Sequence, residues 1–407
     1  MSIKKGVPLY DQSDENGFWG KFGGNYLPEP LLKPADDLHT AFQELRYDKD
    51  FLKDLEKLRS EYIGRPTPFF KLENLTNELG GAEIWIKHEA QCHGDSHKLN
   101  GAIISCLIAK YRGQTEIIGD TGAGMAGTGL AMAASRLGLK SRVFMGKVDY
   151  ERQKLNVMRM KTLGCEVVPV TSGSQTLVEA VSETMRYWLA NCDTTAICVG
   201  SVVGASVFVK LCAFGQHVIS REMSSQMMNI FGEIPKATLV AAVGGGSSSF
   251  GFFCDFIDHD QISMRGVEAG GPENDDKLHA APLTNDSPIG ILHGAKQYVI
   301  QSPDGQIQET SSIAAGLDYP GVSPMHCYLK DEGRVTYTSA SDEEAVKGFE
   351  ILAKTEGIQC SIEPAHAIAD ICRIAPKMGK DEKIIGLVCG TLSKDAPLLA
   401  QRLNIEL

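Results

Sequence analysis

His97-Lys98-Leu99-Asn100, Asp120-Thr-Gly-Ala-Gly-Met-Ala-Gly127 and Gly244-Gly-Gly-Ser-Ser-Ser249 decide the reading of this chain. Each glycine turn follows a strand-like run: Glu116-Ile-Ile-Gly119 precedes the first, and Thr238-Leu-Val-Ala-Ala-Val243 the second. Each then opens into a helical pattern. A strand, a glycine turn and a helix start together make an anion site, because backbone N–H groups and the helix dipole point the same way.

Outward from the first turn, helix and strand patterns alternate. Helices are expected over 128–137, 152–163 and 176–190, and strands over 141–145, 166–170 and 195–200. A second set begins near Thr238 and ends with a strand at 384–389, after a long helical region at 207–231. Such alternation argues for right-handed βαβ units on parallel sheets. The expected fold is α/β, with two intimately packed open twisted sheets and flanking helices. Residues 1–60 read as an arm with helices, of which 36–60 is one charged amphipathic segment. Residues 274–286 and 301–310 read as surface loops or hairpins.

Bulk properties narrow the function. The 407 residues exceed one ordinary core, and 43% hydrophobic with 22% charged residues suits a globular enzyme. A formal charge of −11 without a basic tract opposes nucleic-acid binding. The eleven cysteines form no C-x-x-C pair, so a reducing, cytoplasmic location is expected. Met-Ser-Ile-Lys-Lys-Gly6 lacks the apolar stretch of a signal peptide, and no apolar run approaches a membrane span.

Rival chemistries fit poorly. Gly122-Ala-Gly-Met-Ala-Gly127 matches a dinucleotide fingerprint, but the following strand ends in Met145-Gly-Lys147 without the acid that would hold a ribose. The second turn lacks the lysine of a P-loop. His88, Cys92, His93 and His97 follow no zinc spacing, so no metal is expected. Two anion turns and one amine suit pyridoxal phosphate: one turn takes the cofactor phosphate, the other a substrate carboxylate, and Lys98 the aldehyde.

The chain resembles the tryptophan synthase β-chain family, which are fold-type II pyridoxal-phosphate enzymes. The matching stretches include Gly20-Lys-Phe-Gly-Gly-Asn-Tyr26, Gly64-Arg-Pro-Thr-Pro68, Lys87-His-Glu89, His97-Lys98 and Thr121-Gly-Ala-Gly124. They continue through Glu151-Arg-Gln153, Gly244-Gly-Gly-Ser247, Gly266-Val-Glu268, Ala315-Gly-Leu-Asp-Tyr-Pro-Gly321 and Glu363-Pro-Ala-His366. The resemblance implies that Lys98 forms the Schiff base and carries the substrate α-proton. His97 would back the phosphate, with Gly244, Gly245, Gly246, Ser247 and Ser248 as its cradle and Asn100, Glu363 and Cys389 elsewhere about the cofactor. Thr121, Gly122, Ala123, Gly124, Met125 and Ala126 would hold the amino acid. Asp318 would meet the serine hydroxyl, with Arg152 pairing to it on closure. The cofactor is pyridoxal 5'-phosphate, and a monovalent cation is admitted beside it. A homodimer is implied. So is a division into an N-terminal domain (1–63 with 97–216, including a mobile closing subdomain at about 113–200) and a C-terminal domain (64–96 with 217–407).

The implied reaction removes the α-proton and hydroxide from L-serine to leave an aminoacrylate, to which indole or an indole-like nucleophile adds. Departures cluster on the nucleophile side. Asp120 replaces the family glutamate that assists indole attack, Met125-Ala126 replaces Gln-His, and Gly204-Ala-Ser-Val207 replaces Gly-Pro-His-Pro. Leu292 and His293 take two aromatic channel positions. Cys389-Gly-Thr-Leu-Ser393 replaces Ser-Gly-Arg-Gly-Asp, with a thiol at the pyridine-nitrogen position. Val178 stands where a family lysine pairs with the α chain, which weakens the case for that partner and leaves it open. Three functions compete: synthesis of tryptophan or an analogue, β-replacement with a thiol, amine or carbon acid, and a binding or regulatory homologue without turnover.

Overall fold

The computed structural model describes residues 3–275 and 277–406. Met1 and Ser2 of the amino-terminal reading, and Asp276 of the loop read at 274–286, lie outside the described residues.

Two largely parallel sheets carry the architecture. The larger has six strands in the order Thr336–Ala340, Ile262–Ala269, Ala237–Ala242, Lys383–Val388, Glu83–His88 and Phe69–Lys71. Its last pair is antiparallel and the others are parallel. The smaller runs Glu166–Val170, Lys140–Gly146, Glu116–Thr121 and Thr195–Cys198, all parallel. Central strands such as Ala237-Thr-Leu-Val-Ala-Ala242 are apolar on both faces, as a sheet covered by helices on each side requires. The chain thus has the α/β architecture of two sheets with flanking helices.

Helix Lys98–Tyr111 lies in the core and is buried continuously from Leu99 to Ala109. It packs closely on helix Ser206–Gln216 because Gly215 has no side chain. A Cβ there would lie 2.7 Å from the Asn100 carbonyl oxygen. Below it, Arg65 forms a buried ion cluster with Glu89 (2.7 Å) and Glu222 (2.7 Å), which Lys87 joins at 2.9 Å from Glu222.

The elements depart from the sequence reading in four places. The single segment at 36–60 is two helices, Glu29–Leu45 and Lys49–Leu58, divided where Asp48 caps the second by accepting from the Asp50 and Phe51 N–H groups. The region at 207–231 breaks at His217, whose ring is held between the Tyr10 hydroxyl and Asp255. The helix at 152–163 is split at Gln153 into Lys147–Arg152 and Lys154–Thr162. A third, antiparallel sheet of Phe18–Trp19, Phe22–Gly23, Ala295–Tyr298 and Ile289–Leu292 was not anticipated. Its strands of two to four residues are too short for alternation to show.

Candidate active site

The two glycine turns converge on one cavity of about 150 Å³, whose wall also includes Lys98. Lys98 is the first residue of its helix, directly after His97. Its Nζ donates to the Gly200 carbonyl at 3.0 Å and approaches Ser247 Oγ at 3.4 Å.

The second turn closes on itself. His97 Nε2 is 3.0 Å from Ser247 Oγ, and Nδ1 is 3.4 Å from the Cys389 carbonyl. Since a carbonyl only accepts, Nδ1 carries the proton and Nε2 takes the Ser247 hydroxyl hydrogen. Burial, then the Lys98 charge, drive the His97 imidazole down to about 3, so it stays neutral. Gly246 has φ of 92° and opens helix Ser247–Phe253. A Cβ at Gly246 would meet His326 Cδ2 at 2.3 Å, and one at Gly245 would meet Ser201 Oγ at 2.4 Å. Only glycine fits this cradle.

The first turn is organised by Thr121. Its Oγ1 accepts from the N–H groups of Gly124 (3.1 Å) and Gly127 (3.2 Å). Gly124, at φ of 86°, is the N-cap of helix Met125–Leu137. Its N–H is therefore occupied, and Gly124 shapes the turn without lining the cavity. Gly122, Ala123, Met125 and Ala126 do line it. Helix start groups lack partners within the helix, so this wall retains donors for an anion. Asp120 is the penultimate residue of strand Glu116–Thr121 and also lines the cavity. It caps no helix here, since Gly124 holds that position. Burial pushes its carboxyl up to about 6.

Asn100, Arg152 and Asp318 stand apart from the cavity wall. Asn100 turns into the ion cluster instead, bonding Arg65 (3.0 Å), Glu89 (3.3 Å) and Gln216 (3.2 Å). A helix N3 position facing a buried arginine settles that orientation, so its placement at the cofactor is corrected to a supporting one. Arg152 is bonded to Asp149 at 2.5 Å and lies 3.9 Å from Asp318, which accepts from Thr310 Oγ1 at 2.7 Å. The arginine and aspartate are thus near each other without a direct hydrogen bond. Burial raises the Asp318 carboxyl, and Thr310 and Arg152 oppose that rise.

Ser248, Cys389 and Glu363 line the cavity. The Cys389 thiol is pushed by burial to about 12, so it remains protonated. Glu363 Oε1 accepts from the Gly316 N–H at 3.0 Å and from Lys394, while the buried Oε2 has no hydrogen-bond partner among the described residues. The sequence reading missed Lys394, Tyr319 and Ser361, which are also in the wall. A lone lysine within Ser393-Lys-Asp395 carries no spacing signal, and only the fold brings it here. Leu177, Val181, Met185, Val199 and Val203 complete an apolar flank beside Met125.

An amine beside a glycine cradle, a second turn with free N–H groups and an orphaned carboxylate oxygen fit an aldehyde cofactor that bears a phosphate. Residues 61–390 match the family model described as pyridoxal-phosphate dependent enzyme. The chain is also 46% identical over 382 residues to the tryptophan synthase beta chain of Allorhizobium ampelinum, covering 94% of each chain. The chain therefore belongs to the tryptophan synthase β-chain family of pyridoxal-phosphate-dependent β-replacement enzymes.

Proposed function

We propose that this enzyme joins the β-carbon of L-serine to indole or an indole-like acceptor. The observation that carries this reading is the cavity itself: Lys98, two anion turns and Asp120 share one wall with an apolar flank. When bound, the cofactor supplies an electron sink that labilises the serine α-proton and the β-hydroxyl. Lys98 would hold the cofactor and carry the α-proton at Nζ. Gly244, Gly245, Gly246, Ser247 and Ser248 would bind the phosphate, with neutral His97 behind Ser247. The Thr121–Ala126 turn would orient the substrate carboxylate, and Asp318 would hold the hydroxyl, joined by Arg152 as the site closes. Glu363 and Cys389 would face the cofactor ring. Asp120 would take a proton from the incoming acceptor, a role its raised carboxyl suits at neutral pH. An apolar flank favours a neutral, flat acceptor and excludes water, which would otherwise consume the dehydrated substrate.

The same reading places residues 1–63 with 97–216 in one domain, 64–96 with 217–407 in the other, and the moving part at about 113–200. Cofactor-loaded protein incubated with serine and a panel of indoles, thiols, amines and carbon acids, read by mass spectrometry, tests the reaction. Products from indoles, absent in Lys98→Ala, are expected. Products from thiols or amines alone overturn the acceptor assignment.

A further inference from the structure

Lys394, in the cavity wall beside Glu363, has no part in the reading above. The Lys394 side chain is only 4% exposed. Its Nζ donates to Glu363 Oε1 at 2.8 Å and to the Asp395 oxygens at 2.7 and 2.9 Å. Asp395 is itself anchored, accepting the Ile362 N–H at 3.0 Å. Glu363 Oε1 also accepts from Gly316, two residues before Asp318, so the cluster is tied to the loop that carries Asp318. The neighbouring family arginine and aspartate are Thr391 and Ser393 here, so the stretch from Cys389 to Ser393 adds no charge.

We propose that Lys394 is a positioning residue that holds Glu363 as a fixed anion in the wall the cofactor ring would face. The inference rests on the cofactor assignment above. A buried ammonium is retained only when its partners are well placed, and removing one partner of such a cluster leaves the other uncompensated. Burial alone would raise the Glu363 carboxyl, but the Lys394 charge and hydrogen bond bring it to about 2. The other groups that act on Glu363 or feel it cannot replace that ammonium. His97 and His366 are kept neutral by burial. The Cys360 and Cys389 thiols are pushed up by burial and stay protonated. Asp395 competes for the same ammonium. Lys98, the other cation of the wall, donates to Gly200.

The test is a pH titration of the cofactor absorption band, from pH 5.5 to 9, on cofactor-loaded protein. Wild type and Lys394→Arg should give a flat profile. Lys394→Met should show a one-proton step, and adding Glu363→Gln to that variant should erase it. A flat profile in folded, loaded Lys394→Met overturns the proposal, as does a step that survives the double substitution. Glu363→Gln alone, which keeps the cation, should move the wild-type band; an unmoved band overturns the proposal even where Lys394→Met does not fold. Wild type that develops no cofactor band at all refutes the cofactor assignment instead.

Discussion

Asp120→Asn should raise stability and lower activity, and both effects can be sized. The Asp120 carboxyl is moved by burial from its ordinary 3.8 to about 6. A rise of that size corresponds to about 3 kcal/mol of cost to the folded state when the group is ionised. Water in the open cavity trims this to roughly 1–2 kcal/mol. The native state binds more protons than the unfolded state between about pH 4 and 6. Wild-type stability therefore falls with rising pH across that window and is level above it. Asparagine carries no charge, so Asp120→Asn should match wild type near pH 4 and exceed it near pH 8. Urea unfolding at a series of pH values measures the difference. The same carboxyl is about nine-tenths ionised at pH 7 and about one-tenth at pH 5. Stopped-flow spectroscopy should show acceptor addition slowing about ninefold over that range in wild type. Asp120→Asn should slow it roughly a hundredfold or more while sparing the serine half-reaction. A stability gap that does not depend on pH, or an unchanged rate of acceptor addition, refutes the reasoning.

Two further outcomes are expected. Gly246→Ala forces a Cβ to 2.3 Å from His326 at a φ of 92°, so the cofactor dissociation constant should rise at least about tenfold; spectral titration of the apoprotein measures it. Val178 offers no charge to an α chain, so turnover should change less than about twofold when the α chain of the same organism is added, and a stable, strongly activated complex would contradict this.

Sequence and structure agree where the signal is local. Both glycine turns were legible because the positive φ at Gly124 and Gly246 admits little else. The α/β alternation was legible because buried parallel strands read as apolar runs. Helix Lys98–Tyr111 was not, since a helix buried all round has no 3.6-residue stripe. The break falls at His217, whose partners Tyr10 and Asp255 are both remote in sequence. The site divides in the same way. Lys98 and the turns announced themselves by type and order. Asn100 was drawn elsewhere by Arg65, and Lys394 entered the wall through contacts across about thirty residues of chain.

The departures from the family pattern make spatial sense together. Leu177, Val181 and Met185 are spaced four apart on helix Leu177–Asn191, so they share one face, and that face is the apolar flank of the cavity. Val178 is the next residue along the same first turn, and its carbonyl lies beside the His293 ring, another part of the wall. Met125 and Ala126, from the start of a second helix, meet this flank. Gly200 lies close enough that a Cβ there would be 2.6 Å from the Ala126 Cβ. A helix moves as a unit, so a partner bound at Val178 would shift the acceptor flank with it. Val178 in place of the lysine that the resemblance implies would therefore remove a handle on the acceptor wall, in the same region as the departures at Asp120, Met125 and Ala126. On the side that would hold the cofactor and the serine hydroxyl, Lys98, Gly244–Ser247 and Asp318 match the family stretches, while Cys389 departs from them. The residues expected to make the electrophile and those expected to select what adds to it thus come from different elements of the wall, and most of the departures fall among the second set.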